Sequence, residues 1–199
     1  MVVPIILASG SEIRAQLLRN AGLAITTDVA RVDEDAVKES LIAEEAAPRD
    51  IADTLAEMKA KRVAARHPEG LVIGCDQVLS FDRRMLSKPK DQTEALDQLK
   101  MMRGKKHQLL SAAVIFGEGK PQWRHVGIVR LHMRDASDDY LSDYVARNWE
   151  SIQHAVGGYK LEEEGARLFH RIEGDYFNVL GLPLLEILSY LSLRGAIDG

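Results

Sequence analysis

The first residues that could do chemistry form a short turn near the start of the chain, Ala8-Ser9-Gly10-Ser11, with Arg14 one helical turn further on. An apolar run precedes the turn and an apolar stripe at helical spacing follows it, so Ser11 is predicted to be the N-cap of a helix. The first N–H groups of a helix lack partners and favour an anion, and hydroxyls and a guanidinium add donors. The turn could therefore bind phosphate. The alternative is an ordinary capped helix with a solvent-facing Arg14.

Two acidic residues are candidates for a general base or a metal ligand. Asp76 directly follows the apolar run 71–75, and is predicted to lie at the C-terminal end of a buried strand, where α/β sheets collect ligands. There it could hold Mg²⁺ or accept a proton from water, although aspartates at strand ends also cap turns. Glu34, between Asp33 and Asp35, could ligate a cation or could simply be part of an acidic helix start.

Three lysines next to predicted turns could bind phosphate oxygens: Lys59, Lys88 before Pro89, and Lys160 after Gly157-Gly158-Tyr159. A compact ammonium group suits the oxygens of a triphosphate. Taken singly, each is more typical of a solvated surface lysine.

Composition and spacing argue against several other functions. The net charge of −4 over 199 residues is unlike that of a broad nucleic-acid surface. No apolar run approaches the roughly 18 residues of a membrane span, and the start lacks the basic residues of a signal peptide. The histidines show no zinc spacing, and neither the P-loop nor the Gly-x-Ser-x-Gly motif occurs. We therefore expect a cytoplasmic protein that binds neither nucleic acid nor membranes, with its one cysteine, Cys75, as a buried core thiol.

Hydrophobic periodicity predicts alternating strands and helices with long hairpins in the middle. The predicted strands cover residues 2–8, 24–32, 71–75, 107–116, 122–133 and 167–172, with a hairpin at 78–86. The predicted helices begin after Ser11, cover 35–46 and 49–66, follow Asp91 as far as Gly104, follow Ser137, and cover 184–193. This order favours an α/β fold with a mixed sheet, in one domain over residues 1–199.

Taken together, these segments resemble the Maf family of nucleoside triphosphate pyrophosphatases over nearly the whole chain. Each matching segment alone is weak evidence, but the occurrence of all of them in the family's order is a specific match. They are Leu7-Ala8-Ser9-Gly10-Ser11-Glu12-Ile13-Arg14, Val32-Asp33-Glu34, Lys59-Ala60, Gly74-Cys75-Asp76-Gln77-Val78, Lys88-Pro89, Gly104-Lys105-Lys106-His107, residues 157–165, and Asn178-Val179-Leu180-Gly181-Leu182-Pro183-Leu184. The resemblance implies a long mixed sheet flanked by helices, with an active-site cleft between two lobes.

The resemblance also implies roles for these residues. Asp76 would be the base that activates water and, with Glu34, a ligand of Mg²⁺ or Mn²⁺. Water would attack the α-phosphorus of a nucleoside triphosphate, with pyrophosphate as the leaving group. A homodimer is consistent with the resemblance. The residues implied to bind substrate are Ser9, Ser11, Arg14, Lys59, Lys88 and Lys160.

Three positions bear on the choice of nucleotide. Gln77 and the segment Lys160-Leu161-Glu162 look like the branch that acts on 7-methyl-GTP, where a carboxylate such as Glu162 can accept hydrogen bonds from guanine N1–H and N2–H₂. Ile13 stands where that branch has an aromatic residue. The alternatives are a dTTP or UTP pyrophosphatase, a septum-formation inhibitor acting through a protein partner, and a general phosphatase. The cellular role implied by analogy is housecleaning of modified nucleotides.

Overall fold

A mixed sheet of seven strands runs through the residues that the computed structural model describes, 3–198. β1 is parallel to both β2 and β3, whereas the other pairs are antiparallel. The spatial order is β2-β1-β3-β5-β6-β7, and β4 pairs with β3. The prediction of a long mixed sheet in an α/β fold is confirmed. The strands are β1 Ile5–Leu7, β2 Ile25–Thr27, β3 Leu71–Phe81, β4 Arg84–Leu86, β5 Lys106–Gly117, β6 Lys120–Met133 and β7 Phe169–Glu173.

Helices cover both faces of this sheet. They are α1 Glu12–Asn20, α2 Glu34–Ala43, α3 Pro48–Ala64, α4 Gln92–Met102, α5 Asp138–Ile152, α6 Tyr176–Val179 and α7 Leu184–Leu193. α3 packs on the face that carries Val72 and Val78, and α1 and α7 pack on the face that carries Leu71 and Ile73. α4 and α5 bury a further apolar cluster against the far end of β3, which includes Leu79.

Several element boundaries follow the capping signals in the sequence. The side chain of Asp91 accepts a hydrogen bond from the N–H of Glu94, and Ser137 accepts one from Tyr140, which confirms both predicted N-caps. Pro48 is the first residue of α3, a position where the backbone N–H that proline lacks would have no partner within the helix. The predicted hairpin at 78–86 is confirmed, with Asp82 and Arg83 forming the turn between β3 and β4.

Two predicted strands have the wrong bounds. β3 continues to Phe81, so Asp76 lies at the centre of the strand and not at its C-terminal end. The polar residues 76–77 interrupt the apolar run from which the strand was predicted. The strand nevertheless continues, because residues 72–80 pair with β5, and this tertiary contact is not visible in the local pattern. The predicted strand 24–32 is reduced to β2, since only Ile25–Thr27 pair with β1. The predicted start of the first strand at Val2 lies outside the described residues.

Gly74 allows α3 to lie directly against β3. A Cβ at Gly74 would stand 2.2 Å from the carbonyl oxygen of Ala56 and 2.6 Å from the nitrogen of Ala60. Because Lys59 precedes Ala60, this close approach also brings Lys59 to the strand.

Replacing Gly74 by alanine is expected to push α3 away from β3 and to lower the free energy of unfolding by about 1–3 kcal/mol, because overpacked cores must shift backbone. Urea unfolding measures the change. Gly10→Ala is the matched control for stability, since its Cβ would meet Val29 at an ordinary 3.5 Å. Equal stability of the two variants would contradict the prediction.

Candidate active site

A gap in the pairing of β3 leaves part of its edge free. One edge pairs with β5 over residues 72–80, whereas the other pairs with β1 at residues 71–73 and with β4 at residues 79–81. Among the described strands, none pairs with the second edge at residues 74–78, where Asp76 and Gln77 lie. Both residues line a cleft of about 580 Å³. A cleft of this size can hold a small ligand.

Segments far apart in the sequence meet in this cleft. The β1–α1 turn, α2, α3 and the loop after α5 line it together with the centre of β3. The structure thus brings together all the residues that the sequence singled out, while their roles stay predictions. They are Ser9, Ser11, Ile13, Arg14, Glu34, Lys59, Asp76, Gln77, Lys88, Lys160 and Glu162.

Asp76 and Glu34 share one ammonium group, that of Lys59. Its Nζ lies 2.7 Å from Asp76 Oδ1 and 2.9 Å from Glu34 Oε1. Lys38 Nζ lies 4.0 Å from Glu34 Oε2. Asp76 and Lys59 are only 4% and 7% exposed, so solvent screens this ion pair weakly. Two carboxylates and two ammonium groups thus alternate along one side of the cleft.

The position of Lys59 corrects the prediction that placed it beside a turn. It lies inside α3, on the side that packs against the sheet, and it is buried. Lysines are almost never fully buried unless they are paired. The partners of Lys59 come from other parts of the chain, so the local pattern could not reveal them.

Asp76 keeps one carboxylate oxygen without a partner. Oδ1 accepts a hydrogen bond from Lys59, whereas Oδ2 is buried and has no hydrogen-bond partner among the described residues. A buried acceptor without a partner costs about 1–3 kcal/mol. A water molecule or a cation beside Oδ2 would remove this cost, so Oδ2 is well placed to bind one of them.

Glu34 is held in its charged form. Burial raises the pKa of its carboxyl, but the neighbouring Lys59, followed by Lys38 and Lys88, outweighs burial and leaves the pKa below its usual value. Lys38 also lines the cleft and was not singled out from the sequence. A signal was present, because Lys38 follows Glu34 by four residues and such pairs are neighbours on a helix.

The β1–α1 turn leaves hydrogen-bond donors free. Ser11 is the N-cap of α1, as predicted, but its side chain makes no capping hydrogen bond. The hydroxyl oxygen of Ser9 instead accepts a hydrogen bond from the N–H of Ser11 at 3.2 Å. The N–H groups of Glu12 and Ile13 belong to the first turn, where a helix offers them no partner. This end of α1 is therefore suited to an anion.

Arg14 ties three segments together at the cleft. Its Nε donates to the carbonyl oxygen of Gly181 at 2.7 Å, and its Nη1 lies 3.4 Å from both Ser9 Oγ and the carbonyl oxygen of Cys75. Its Nη2 makes no hydrogen bond among the described residues. Arg14 is thus a structural bridge as well as a cation at the site, and the predicted solvent-facing alternative is wrong, since Arg14 is half-buried.

The loop after α5 contributes two charges of opposite sign. Lys160 Nζ donates to Ser151 Oγ at 2.7 Å and lies 3.4 Å from Glu163 Oε1, so its charge is already partly engaged. Glu162 is exposed and makes no hydrogen bond or ion pair among the described residues. Lys88 is also exposed. Glu162 and Lys88 are therefore both accessible to an incoming ligand.

Tyr159 gives the cleft an ordered aromatic wall that the sequence analysis did not single out. Its hydroxyl lies 2.7 Å from Nε2 of His107. Burial lowers the pKa of His107 to about 4, with a smaller effect from His132, so the imidazole is neutral near pH 7. This neutral pair holds the ring of Tyr159 without adding charge to the site.

Cys75 neighbours Asp76 but points to the opposite face of β3, among the apolar residues beneath α1 and α7. Burial raises the pKa of its thiol to about 11. The prediction of a buried core thiol is confirmed.

Within residues 3–198, no group of three or more His, Cys, Asp or Glu side chains is arranged to hold a metal ion. In the same part of the chain, no helix is both long and apolar enough to span a membrane.

Known proteins are similar to this chain over almost its whole length. A family model described as "Maf-like protein" matches residues 4–193. The chain is 66% identical over 198 residues to the nucleoside triphosphate pyrophosphatase of Ruegeria pomeroyi, with 100% of both chains covered. It is 47% identical to the protein of that name from Caulobacter vibrioides and 46% identical to the 7-methyl-GTP pyrophosphatase of Rhizobium meliloti, with 98% of each chain covered in both comparisons. The chain belongs to the Maf family.

Proposed function

We propose that this protein is a hydrolase of phosphoric anhydrides that converts a nucleoside triphosphate to the monophosphate and pyrophosphate. The observation that supports this most is the buried carboxylate of Asp76 on the free edge of β3, where Lys59 binds Oδ1 and no residue in 3–198 hydrogen-bonds Oδ2. The names of the Ruegeria pomeroyi and Caulobacter vibrioides relatives state the same activity. Residues 1–199 act in this proposal as one catalytic domain.

Asp76 is the group that takes the proton from the attacking water. Lys59 holds the carboxylate through Oδ1, which leaves Oδ2 to accept the proton. As the water oxygen bonds to the α-phosphorus, the bond from that phosphorus to the oxygen bridging to the β-phosphorus breaks. The electron pair leaves with pyrophosphate. A positioned carboxylate base contributes about 10²–10⁴-fold to such a step.

The basic groups of the cleft offset the charge of the triphosphate. The N-terminus of α1 supplies free N–H groups and a partial positive charge. Lys38 on α2 and Lys59 on α3 add ammonium groups to the lining of the cleft, and Lys88, in the loop after β4, adds a third. Because these donors are fixed by the fold, they are in place before negative charge develops in the transition state.

The acidic pair also suits a divalent cation, Mg²⁺ or Mn²⁺. Mg²⁺ usually binds one or two carboxylates together with substrate phosphates and does not need a full protein cage. Glu34 and Asp76 provide two carboxylates, and Oδ2 of Asp76 is a buried oxygen without a partner in the part of the chain that the structure describes. When bound, the ion would supply positive charge that stabilises the phosphates in the transition state.

We further propose 7-methyl-GTP or a related guanine nucleotide as the preferred substrate. Glu162 offers a free carboxylate that can accept hydrogen bonds from guanine N1–H and N2–H₂. Ile13, Tyr159 and Val179 line the same cleft with apolar surface suited to a flat base. The name of the Rhizobium meliloti relative points to the same nucleotide. Such an activity would remove modified nucleotides.

A product assay with the purified protein and Mg²⁺ tests both proposals. The substrates are 7-methyl-GTP, GTP, UTP, CTP and dTTP, each scored for monophosphate, pyrophosphate and orthophosphate. We expect monophosphate and pyrophosphate in equal amounts, fastest from 7-methyl-GTP, and loss of turnover with EDTA. Faster turnover of dTTP or UTP would support the pyrimidine alternative, and orthophosphate as the first product would indicate a phosphatase. No turnover of any nucleotide would favour a septum-formation role through a protein partner.

A further inference from the structure

The side-chain amide of Gln77 is held in one orientation. The two N–H groups of its Nε2 are shared among three acceptors, each at 3.0 Å: the backbone carbonyl oxygens of Asn178 and Val179 and the hydroxyl oxygen of Ser111. Carbonyl oxygens can only accept hydrogen bonds, so the part of the amide that faces them must be the NH₂ group. The amide oxygen, Oε1, is therefore turned away from these carbonyls, and it makes no hydrogen bond among the described residues.

Ser111 completes this arrangement from the neighbouring strand. It lies directly opposite Gln77 in the register of β3 and β5 and is fully buried. Its hydroxyl donates to the carbonyl oxygen of Asn178 at 2.6 Å and accepts from Nε2 of Gln77. A hydroxyl can donate and accept at once, which an alanine or a glycine at this position could not do.

The carbonyl of Asn178 is itself fixed in place. Asp175 Oδ2 accepts hydrogen bonds from the backbone N–H and the Nδ2 of Asn178, at 3.0 and 2.9 Å. On β6, Gly127 leaves room for this side chain, since a Cβ there would stand 1.9 Å from Asn178 Oδ1. The acceptor that orients Gln77 is thus anchored by α6 and by the sheet.

We infer that Ser111 is a positioning residue for nucleobase selection, which holds Gln77 so that the acceptor Oε1 faces the cleft. The inference rests on the proposed function. Gln77 lines the cleft together with the apolar residues Leu109 and Val179, where a base would be placed. An acceptor at this point favours a base edge that carries N–H donors. Together with the carboxylate of Glu162, it suits guanine, whose N1–H and N2–H₂ are adjacent, over hypoxanthine, which lacks the N2 amino group.

Steady-state kinetics of Ser111→Ala with GTP and ITP test the selectivity. We expect KM for GTP to rise about 10-fold, because a tenfold loss of affinity corresponds to the contribution of about one hydrogen bond. The value of kcat should change less than about 2-fold. KM for ITP should change little, so the preference for GTP over ITP shrinks. Ser111→Cys controls for packing, because it keeps the volume but hydrogen-bonds weakly; it should lose selectivity as alanine does. Ser80→Ala, on β3, should leave both constants unchanged.

The amide orientation has its own test in Gln77→Glu, which needs no turnover. This change puts a carboxylate oxygen against the carbonyls of Asn178 and Val179, so we expect Tm at pH 7 to fall by about 5 °C. The loss should diminish at low pH, where the protonated acid can donate. Gln108→Glu is the matched control, since Gln108 is half-buried on β5 and makes no side-chain hydrogen bond among the described residues.

The outcomes separate this inference from the proposed function. An active wild-type protein whose Ser111→Ala variant keeps the full GTP preference overturns the positioning role and leaves the pyrophosphatase proposal standing. A Gln77→Glu variant as stable as Gln108→Glu overturns the amide orientation. A wild-type protein that releases no pyrophosphate refutes the proposed function and with it the selectivity role of Ser111, while the Tm comparison still decides the amide orientation.

Discussion

Replacing Asp76 by asparagine is expected to lower kcat for pyrophosphate release by about 10²–10⁴-fold, because the amide cannot take a proton from water. The fold should persist. The asparagine oxygen can still accept a hydrogen bond from Lys59, and Glu34 at 2.9 Å continues to pair with that ammonium group. KM should change less than kcat, since Lys38, Lys88 and the N-terminus of α1 continue to bind the phosphates.

The measurement is initial-rate kinetics on the preferred nucleotide, with circular dichroism and thermal unfolding on the same samples. Asp97→Asn is the matched control, because Asp97 is an exposed residue of α4 outside the cleft. Its kcat should equal that of the wild-type protein. If the Asp76→Asn variant retained near wild-type activity, Asp76 would not be the base, and the proposed mechanism would be refuted.

Replacing Lys59 by methionine is expected to lower the free energy of unfolding by about 3–5 kcal/mol and to abolish activity. Methionine fills the space in α3 but leaves the buried Asp76 without its cation, and an unpaired buried charge is strongly destabilising. The same change removes a cation from the phosphate side of the cleft. Urea unfolding checks the stability, and Lys61→Met, at an exposed position of the same helix, should cost far less.

The pH dependence gives this prediction a second readout. The pKa of Glu34 is lowered in the folded state, so its stabilising effect is complete above its unfolded-state pKa and is lost as the pH falls through the folded value. The stability difference between wild type and Lys59→Met should therefore be full near neutral pH and shrink in acid. A difference that stays constant down to acid pH would show that the ion pairs are not its cause.

Much of the fold could be predicted because its signals are local. The N-caps at Asp91 and Ser137 and the β3–β4 hairpin depend on residues only a few positions apart. The end of β3 could not be predicted in this way. Its polar residues 76–77 predict the end of the strand, but the strand continues through them because they pair with β5. The short α6, at Tyr176–Val179, was not predicted either, since four residues are too few for a periodic pattern.

The candidate site, like the fold, could be predicted only in part. The order of its motifs in the sequence was enough to indicate the family and to single out the residues that line the cleft. Ser111 was missed because a serine in a strand has no distinctive local pattern, and Lys38 was missed although its spacing of four residues from Glu34 is a local signal.

By itself, the sequence determined which residue types are present and which local elements they form, because caps, turns and periodicity act over a few residues. Only the tertiary structure decided the electrostatics of the site. The packing of α3 on Gly74 buries Lys59 between Asp76 and Glu34, and the incomplete edge of β3 opens the cleft beside them. Burial and charge pairing depend on contacts between distant segments, so the chemical state of a side chain is fixed only when the chain has folded.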